Sequence, residues 1–481
     1  MRRRVRRRVR RVFQRRERVV PLVTPGRRRA WEQAAPQDTA SALHLHYLRH
    51  RDRVQPRYFA RTGGYPMPRP GLARAWRWYV GDVVVQSLRL LRRNGSAVRR
   101  AAGVPRWRQL VDLLWLSVSL PAMPEKYYTF EWYRPERRAR AGEYLHRHET
   151  KGGLYELLAP GRLAPAADLA PAADLEAVAD LEAVAPLNDK VAFAAHATRA
   201  GLPVVPTLAV IEGGAVSWSA GDLPGCDLFV KPTGGRGGRH TQKWRHGGGR
   251  YRRVGGAPTD VSSGVPADSP SDMPAGVPAD VPAADMLARL AGDADNALMV
   301  QPCLANHPEL SDLALDAAVT CRIITILDEA GDPEPVTAIF RMPASPGAVV
   351  DNMHRGGIAA PVQIPTGVLG TASGYATAGQ TTRHTHHPVT GTAVAGRTLP
   401  MWDAVRDLAV AAHRAFRPRV LVGWDISIGA DGPVLVEGNE QPGVDGLQRL
   451  HDRPLGSHRF GELLAFHLSR CTQVTTDPAA R

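Results

Sequence analysis

The stretch Val422–Gly443, VGWDISIGADGPVLVEGNEQPG, limits the fold more than any other part of the chain. Branched apolar residues around Val420–Ile428 and Val434–Val436 flank a Gly429–Pro433 break, which predicts a β-hairpin. Asp425 lies on the first arm, Glu437 closes the second, and Asn439 follows two residues later. A hairpin folds Asp425 back towards Glu437, and the period of two puts Glu437 and Asn439 on one side. Three oxygen donors then converge at one end. Two carboxylates and an amide suit a hard cation that keeps water and takes phosphate oxygens, which means Mg²⁺. A surface hairpin with solvated acids would show the same spacing, so the rest of the chain has to separate the two readings.

Two blocks of ordered-looking sequence lie upstream. The first opens with LNDKVAFAAHATRAGLPVV, where Asn188 or Asp189 caps a helix, Val191, Phe193, Ala194 and Ala197 form its apolar side, and Gly201 ends it. DLFVKPTGGRGGRHTQKW then predicts a strand at Asp227–Lys231, a glycine-rich turn at Thr233–Gly238, and a returning strand at His240–Trp244. Strand, glycine loop and strand differ from the arrangements in which a helix follows the glycines. Such a hairpin loop of backbone amides can fold over a triphosphate, with Lys231 placed to neutralise charge; a plain Gly-rich hairpin is the alternative. The second block predicts strands at Ala297–Leu304, Val319–Leu327 and Val336–Met342. Arg322 sits inside an apolar strand and needs an anionic partner, either a phosphate or a structural carboxylate. Val349–Ala360 brings Asn352 and Gly356-Gly357 into a loop.

Composition divides the chain further. Of a net charge of +16, residues 1–18 contribute +10 through eleven Arg and one Glu, so the basicity is mostly an arm. That arm can touch an anionic surface or nucleic acid non-specifically, or it is a solvated tail, or the natural start lies downstream of Met1. No run approaches the roughly 20 apolar residues of a membrane span, and the start has no signal-peptide hydrophobic region. Cys226, Cys303, Cys321 and Cys471 form no CxxC pair, which argues against a disulfide framework and favours a reducing cytosol. The domain reading is an Arg-rich disordered arm at 1–30 and a mainly helical region at 31–158. An Ala/Asp/Leu low-complexity linker at 159–185 leads to an α+β domain at 186–470, with a disordered insert at about 247–284, and then a tail at 471–481. Aromatics at Trp76–Tyr79, Trp107, Trp115 and Tyr127–Tyr133 suit the core and rim of the helical region better than base stacking. The HTHH run at His384, His386 and His387 lacks helical spacing and reads as a loop.

Taken in order, LNDK, VKPTGGRGG, QPCLANHPEL, TCRIIT, VDNMHRGGIAAPV, HPVTG and VGWDISIGADGPVLVEGNEQPG resemble the ATP-grasp superfamily. More closely they resemble the sugar-transfer-associated ATP-grasp family, from Pro186 to about Leu468. The resemblance implies an ATP-grasp fold in which two α+β subdomains clamp ATP, preceded here by the mainly helical N-terminal region. It implies that Lys190 and Lys231 contact phosphates beneath a mobile lid that includes Gly234, Gly235, Gly237 and Gly238. Val300–Leu304 would form the adenine hinge, with Gln301 where many relatives carry Glu and Leu304 at its end. Arg322 and Asn352 would face the γ-phosphate, and Asp425, Glu437 and Asn439 would hold one or two Mg²⁺.

These parts suit an ATP-dependent carboxylate–amine ligase, in which a substrate carboxylate becomes an acyl phosphate and an amine or similar nucleophile displaces phosphate. The family's name points to polysaccharide or cell-envelope modification. The same ATP site would serve a phosphotransferase with a hydroxyl or phosphate acceptor, and a non-catalytic binding protein using the basic arm is the third class. The lysine–arginine–carboxylate set argues against the third.

Overall fold

Helix and strand periodicities sort the chain into two units, both visible in the computed structural model. It describes residues 43, 83–120, 123–158, 187–234, 240–256, 280–292, 297–374 and 383–473. Unit 1 comprises residues 1–156 with 452–465, and unit 2 comprises most of 157–451 with 466–481. The 452–465 segment thus departs from the continuous 186–470 domain expected from sequence.

Unit 1 is helical, as its three-and-four spacing predicts. Helix α1 (Val85–Ala102) turns Ser87, Leu91, Asn94, Gly95 and Val98 inward. It stops at Gly103, where φ is +67° and the N–H donates to Arg99 O. A side chain at that φ would be strained, so glycine makes the stop cheap. Helix α2 (Arg106–Ser119) starts after Pro105, whose fixed φ suits a helix entry. The hairpin is pinned by Gln109, whose Nε2 donates to Gly95 O at 3.0 Å and Val104 O at 2.8 Å. Gln109 Oε1 accepts from Tyr128 Oη at 3.0 Å. Tyr127, Tyr128, Phe130, Trp132, Tyr133 and Tyr144 are buried together, as an aromatic core rather than a stacking platform. Each such burial contributes roughly 2–3 kcal/mol. Trp76, Trp78 and Tyr79 lie outside the described residues. From 452–465, Asp452 accepts from Arg137 at 2.7 Å and Ser457 Oγ donates to Glu143 at 2.8 Å.

Unit 2 opens with α3 (Lys190–Arg199). The Asp189 carboxylate caps it, accepting from the N–H groups of Val191 (2.9 Å) and Ala192 (3.0 Å). Six strands follow: β1 (Ala209–Glu212), β2 (Ala215–Ser219), β3 (Leu228–Pro232), β4 (Gln242–Gly247), β5 (Arg250–Gly256) and β6 (Asp280–Pro282). After α4 (Met286–Gly292) comes β7 (Leu298–Pro302), and the first sheet is antiparallel in the order β2-β1-β7-β3-β4-β5-β6. Leu228, Val230, Trp244 and Val300 pack against Met286 and Leu290 of α4.

Strands β5 and β6 correct the reading of 247–284 as one disordered insert. Gly248 and Gly249, at φ +58° and +70°, make a tight turn, and RYRRV returns as a strand. Its arginines hide the alternation, because Tyr251 is the one fully buried residue among those whose burial is described. Residues 257–279 lie outside the described residues.

The second sheet runs β12-β11-β10-β9-β8-β13-β14. Its strands are β8 (Thr320–Leu327), β9 (Pro333–Met342), β10 (Ile358–Val362), β11 (Ala372–Gly374), β12 (Arg383–His384), β13 (Leu421–Gly429) and β14 (Gly432–Asn439). Period-two alternation splits its faces. Cys321 and Ile323 of β8, Ala338 and Phe340 of β9, and Val422, Trp424 and Ile426 of β13 face one core. Phe193 of α3 joins that core, as do Trp402, Val405, Leu408, Ala409 and Ala412 of α5 (Trp402–Ala415). The opposite parity faces away from it. Helices α6 (Asp445–Leu450) and α7 (Arg459–Gln473) complete the described chain.

Candidate functional site

Strand register assembles the site on the face of the second sheet opposite its apolar core. Asp425 of β13 pairs across the hairpin with Glu437 of β14 and, on its other side, with Arg322 of β8. Gly423 pairs with Asn439, so Glu437 and Asn439 share a side, as the hairpin predicts. A bulge beside Asp425 shifts the register, so that Leu435, two residues before Glu437, pairs with Ile426 and joins the apolar core. Thr320, two residues from Arg322, pairs with Arg341 of β9.

The charges interlock. Arg322 grips Asp425 with two parallel hydrogen bonds, from Nε to Oδ1 and from Nη2 to Oδ2 at 2.6 Å. The same Nη2 lies 3.6 Å from Glu437 Oε1. Arg341 donates to Asp425 Oδ2 at 2.9 Å and to Thr320 Oγ1, and its Nε is 3.5 Å from Asp351 Oδ2. Thr320 Oγ1 in turn donates to Asp351. Burial would push the Asp425 carboxyl up, but Arg322 and Arg341 outweigh it and hold Asp425 well below the usual carboxylate range. Glu437 moves the other way: burial and then the Asp425 charge raise it, against Arg322 and Lys231. Asp351 is also raised, by burial against the opposing pull of Arg341.

Two lysines face this cluster electrostatically. Lys231, on the parity of β3 that points away from Leu228 and Val230, is 7% exposed. Burial draws its ammonium down to about 8; Glu437 pulls it back up and Lys190 opposes. Lys190, the first residue of α3, donates through Nζ to Pro232 O (3.1 Å) and Gly234 O (3.2 Å), at the foot of the glycine-rich turn. Its own pKa is lowered by burial, with Glu437 raising it. Gly235, Gly237 and Gly238 lie outside the described residues.

The remaining expected residues sit differently. Gln301 is buried in β7 and its Nε2 donates to Val205 O at 3.0 Å, so its side-chain amide is committed to the protein backbone. Leu304 follows the end of β7 and is half-buried. Asn352 Oδ1 accepts from His354 N at 2.9 Å and caps a short turn, so its carbonyl oxygen is already occupied. Asn352 does bring in its neighbour Asp351. Gly357 is required there, since a Cβ would stand 2.5 Å from Asp351 O. His387 is buried and its ring Nε2 donates to Pro343 O at 2.7 Å, within the loop expected for the HTHH run.

Arg341, Thr320 and Asp351 belong to the cluster without having been expected as site residues, although Thr320 opens TCRIIT and Asp351 lies in VDNMHRGGIAAPV. Arg341 carries the same signal as Arg322: a guanidinium in an apolar strand, at the parity opposite Ala338 and Phe340.

The donor set fits a hard divalent cation. Two carboxylates face each other, the Asp425 charge raising Glu437, and Asn439 lies beside Glu437, with Nδ2 3.4 Å from Oε1. Among the described residues no group of three or more His, Cys, Asp and Glu side chains gathers as a metal cage. The protein ligands would therefore be Asp425, Glu437 and Asn439, leaving other positions for water and phosphate.

No curated protein matches the sequence. Among solved structures, the chain is similar to the L-amino acid ligase from Bacillus licheniformis, with 11% identity and a TM-score of 0.30. That alignment covers 59% of this chain and 48% of the ligase. It is also similar to the D-alanyl-alanine synthetase A from Vibrio cholerae O1 biovar eltor str. N16961, with 10% identity, TM-score 0.33, and 59% and 65% of the two chains covered. The D-alanine–D-alanine ligase from Bacillus anthracis gives 11% identity, TM-score 0.31, and coverage of 60% and 68%. The chain thus spans less than two thirds of the first two of these structures. The family model described as sugar-transfer associated ATP-grasp matches residues 176–455, more than half of the sequence, and the chain belongs to that family.

Proposed function

We propose that the chain is an ATP-dependent carboxylate–amine ligase. The observation that supports this most is the convergence of Lys190, Lys231 and Arg322 on the Asp425–Glu437 pair, with Arg341 behind it. A substrate carboxylate oxygen attacks the γ-phosphorus, ADP departs, and an acyl phosphate forms. An amine nitrogen then attacks the acyl carbon, phosphate leaves and the nitrogen loses a proton. Lys231 and Lys190 attract the phosphates, and an anion beside Lys231 restores the proton that burial weakens. Arg322, one-fifth exposed and held between Asp425 and Glu437, is the guanidinium that would offset negative charge developing on the transferring group. Arg341 is a positioning residue that keeps Asp425 ionised. Mg²⁺, held by Asp425, Glu437 and Asn439, would neutralise phosphate oxygens. Gly234 starts the turn that, with Gly235, Gly237 and Gly238, would close over the nucleotide, and Gln301 and Leu304 mark the adenine side through the backbone of β7. Asn352 acts through the turn that presents Asp351.

The family's description supports a substrate connected with sugar transfer, in polysaccharide or cell-envelope modification. Unpaired Cys226, Cys303 and Cys321 support a reducing compartment such as the cytoplasm, and no helix among the described residues is long and apolar enough to cross a membrane.

Hydroxylamine capture tests the reaction type. The protein, Mg·ATP, hydroxylamine and a panel of carboxylates should yield a hydroxamate with equal ADP and phosphate. ADP without free phosphate, and a phosphorylated acceptor, would establish the phosphotransferase instead. In parallel, Mg·ATP should raise the thermal midpoint of the wild type, and Glu437→Gln should abolish the Mg²⁺-dependent part.

A further inference from the structure

Helices α1 and α2 carry a surface that nucleotide chemistry does not use. Eight large apolar side chains are exposed among the described residues, and four of them lie on these two helices. They are Trp107 (67% exposed), Val111 (54%), Leu88 (48%) and Val85 (38%). Val85 and Leu88 stand one turn apart on α1, with Arg92 continuing the stripe. Trp107 and Val111 stand one turn apart on α2. These positions are not spare core, because the opposite faces already bury Leu91, Val98, Leu113 and Leu116.

The charge around them has one sign. The two helices hold seven arginines and a single acid, Asp112, which is 1% exposed and bound to Arg138 at 2.5 Å. Arg89, Arg92, Arg93, Arg99, Arg100 and Arg106 are exposed and form no ion pair among the described residues. Exposed aliphatics and a tryptophan set among unpaired arginines match the two demands of an anionic bilayer surface: apolar groups for the boundary of headgroup and acyl chain, and cations for lipid phosphates. A nucleic acid would use the arginines, but Val85, Leu88 and Val111 would gain nothing against phosphates, and a single exposed ring makes a poor stacking platform.

We infer that the α1–α2 hairpin docks on an anionic lipid surface, inserting Trp107, Val111, Leu88 and Val85 at the headgroup boundary. It lies on the membrane and does not span it.

Vesicle cosedimentation of the full chain tests this. Phosphatidylcholine vesicles containing phosphatidylglycerol should pull the protein down, pure phosphatidylcholine vesicles should not, and salt should weaken the binding. The double variant Trp107→Ser/Val111→Ser should bind roughly tenfold more weakly. Brominated acyl chains should quench tryptophan emission in the wild type, and Trp107→Phe should lose that quenching while keeping most of the binding. Because Phe fills much of the same space, this variant still reads out insertion if the serine pair disturbs folding. No cosedimentation overturns the inference. So does cosedimentation that the serine pair leaves unchanged, with quenching that survives in Trp107→Phe, since residues 1–18 would then account for it alone. Tighter binding to a single-stranded oligonucleotide than to the vesicles, weakened equally by the serine pair, would overturn it in favour of nucleic acid.

Discussion

Arg341 joins two carboxylates of the cluster. It is 13% exposed and reaches Asp425, Asp351 and the Thr320 hydroxyl that joins them. Removing one partner of a buried charge network leaves the others desolvated and unpaired, which costs about 3–5 kcal/mol. Arg341→Met should therefore lower the urea unfolding free energy by about that amount, and adding Asp351→Asn should restore part of it, because one stranded carboxylate becomes neutral. A loss below about 1 kcal/mol would mean that water reaches the cluster and Arg341 is dispensable. The same reasoning separates the two carboxylates as experimental handles. Asp425→Ala would strand two guanidiniums, whereas Glu437 is one-third exposed and raised rather than depressed, so Glu437→Gln should cost the fold less than Asp425→Ala. Arg341 is legible in the sequence, since VTAIFRM alternates and places it with Ile339 away from Ala338 and Phe340. Its partner was not, because Arg341 and Asp425 lie 84 residues apart on different strands and no local pattern says which strands lie close.

Helix α5 is tied to the sheet by a buried relay. Trp424 Nε1 donates to Thr325 Oγ1 at 2.8 Å, that hydroxyl donates to His413 Nδ1 at 2.7 Å, and His413 Nε2 donates to Arg419 O at 2.8 Å. The relay needs a neutral ring with its proton on Nε2. Burial draws the His413 pKa down to about 4, against the carbonyl bond that favours the charged ring. The unfolded chain titrates near 6.5, so between pH 6.5 and 4 it binds more protons than the folded one. Stability from this site is complete above pH 6.5 and is lost as pH falls through 4, to a total of roughly 3 kcal/mol. Unfolding free energies at about pH 7 and about pH 4.5 should differ less in His413→Leu than in the wild type. Equal differences would remove His413 as the cause. Elements differ in how readable they are for the same kind of reason. The β13–β14 hairpin declares itself through branched residues and a Gly-Ala-Asp-Gly turn, and α3 through its Asp189 cap and Gly201 stop. Strand β5 does not, since five of the seven residues of RYRRVGG are arginine or glycine and Tyr251 is the one fully buried among the residues whose burial is described. The row Glu437–Asp425–Arg322 was half legible: the hairpin gives the first pair, but the neighbouring of β8 and β13 is a fact of sheet order.

At the scale of the molecule, the candidate site draws all its described side chains from unit 2, while the segment 452–465 belongs to unit 1. That return of the chain distinguishes two truncations. Removing residues 1–24 takes away none of the site residues and none of the described core, so the Mg·ATP-dependent rise in thermal midpoint should persist. Removing 1–156 strips 452–465 of its unit: Asp452 loses Arg137, Ser457 loses Glu143, and Phe460, Leu463 and Leu464, each at most 1% exposed, lose the unit they cluster with. At roughly 2 kcal/mol for each large apolar side chain returned to water, the loss is comparable to the whole stability of a domain. The longer truncation should therefore aggregate or melt well below the full chain, although it retains Lys190, Lys231, Arg322, Asp425 and Glu437. Size-exclusion profiles and melting curves of both proteins read this directly. A soluble 157–481 protein with the full chain's midpoint would show that 452–465 folds without unit 1. A lost nucleotide shift in the shorter truncation would bring residues 1–24 into the ATP site. If both behave as expected, the helical unit is structurally required by the end of the chain and chemically separate from the site, which leaves its exposed α1–α2 surface available for a role of its own.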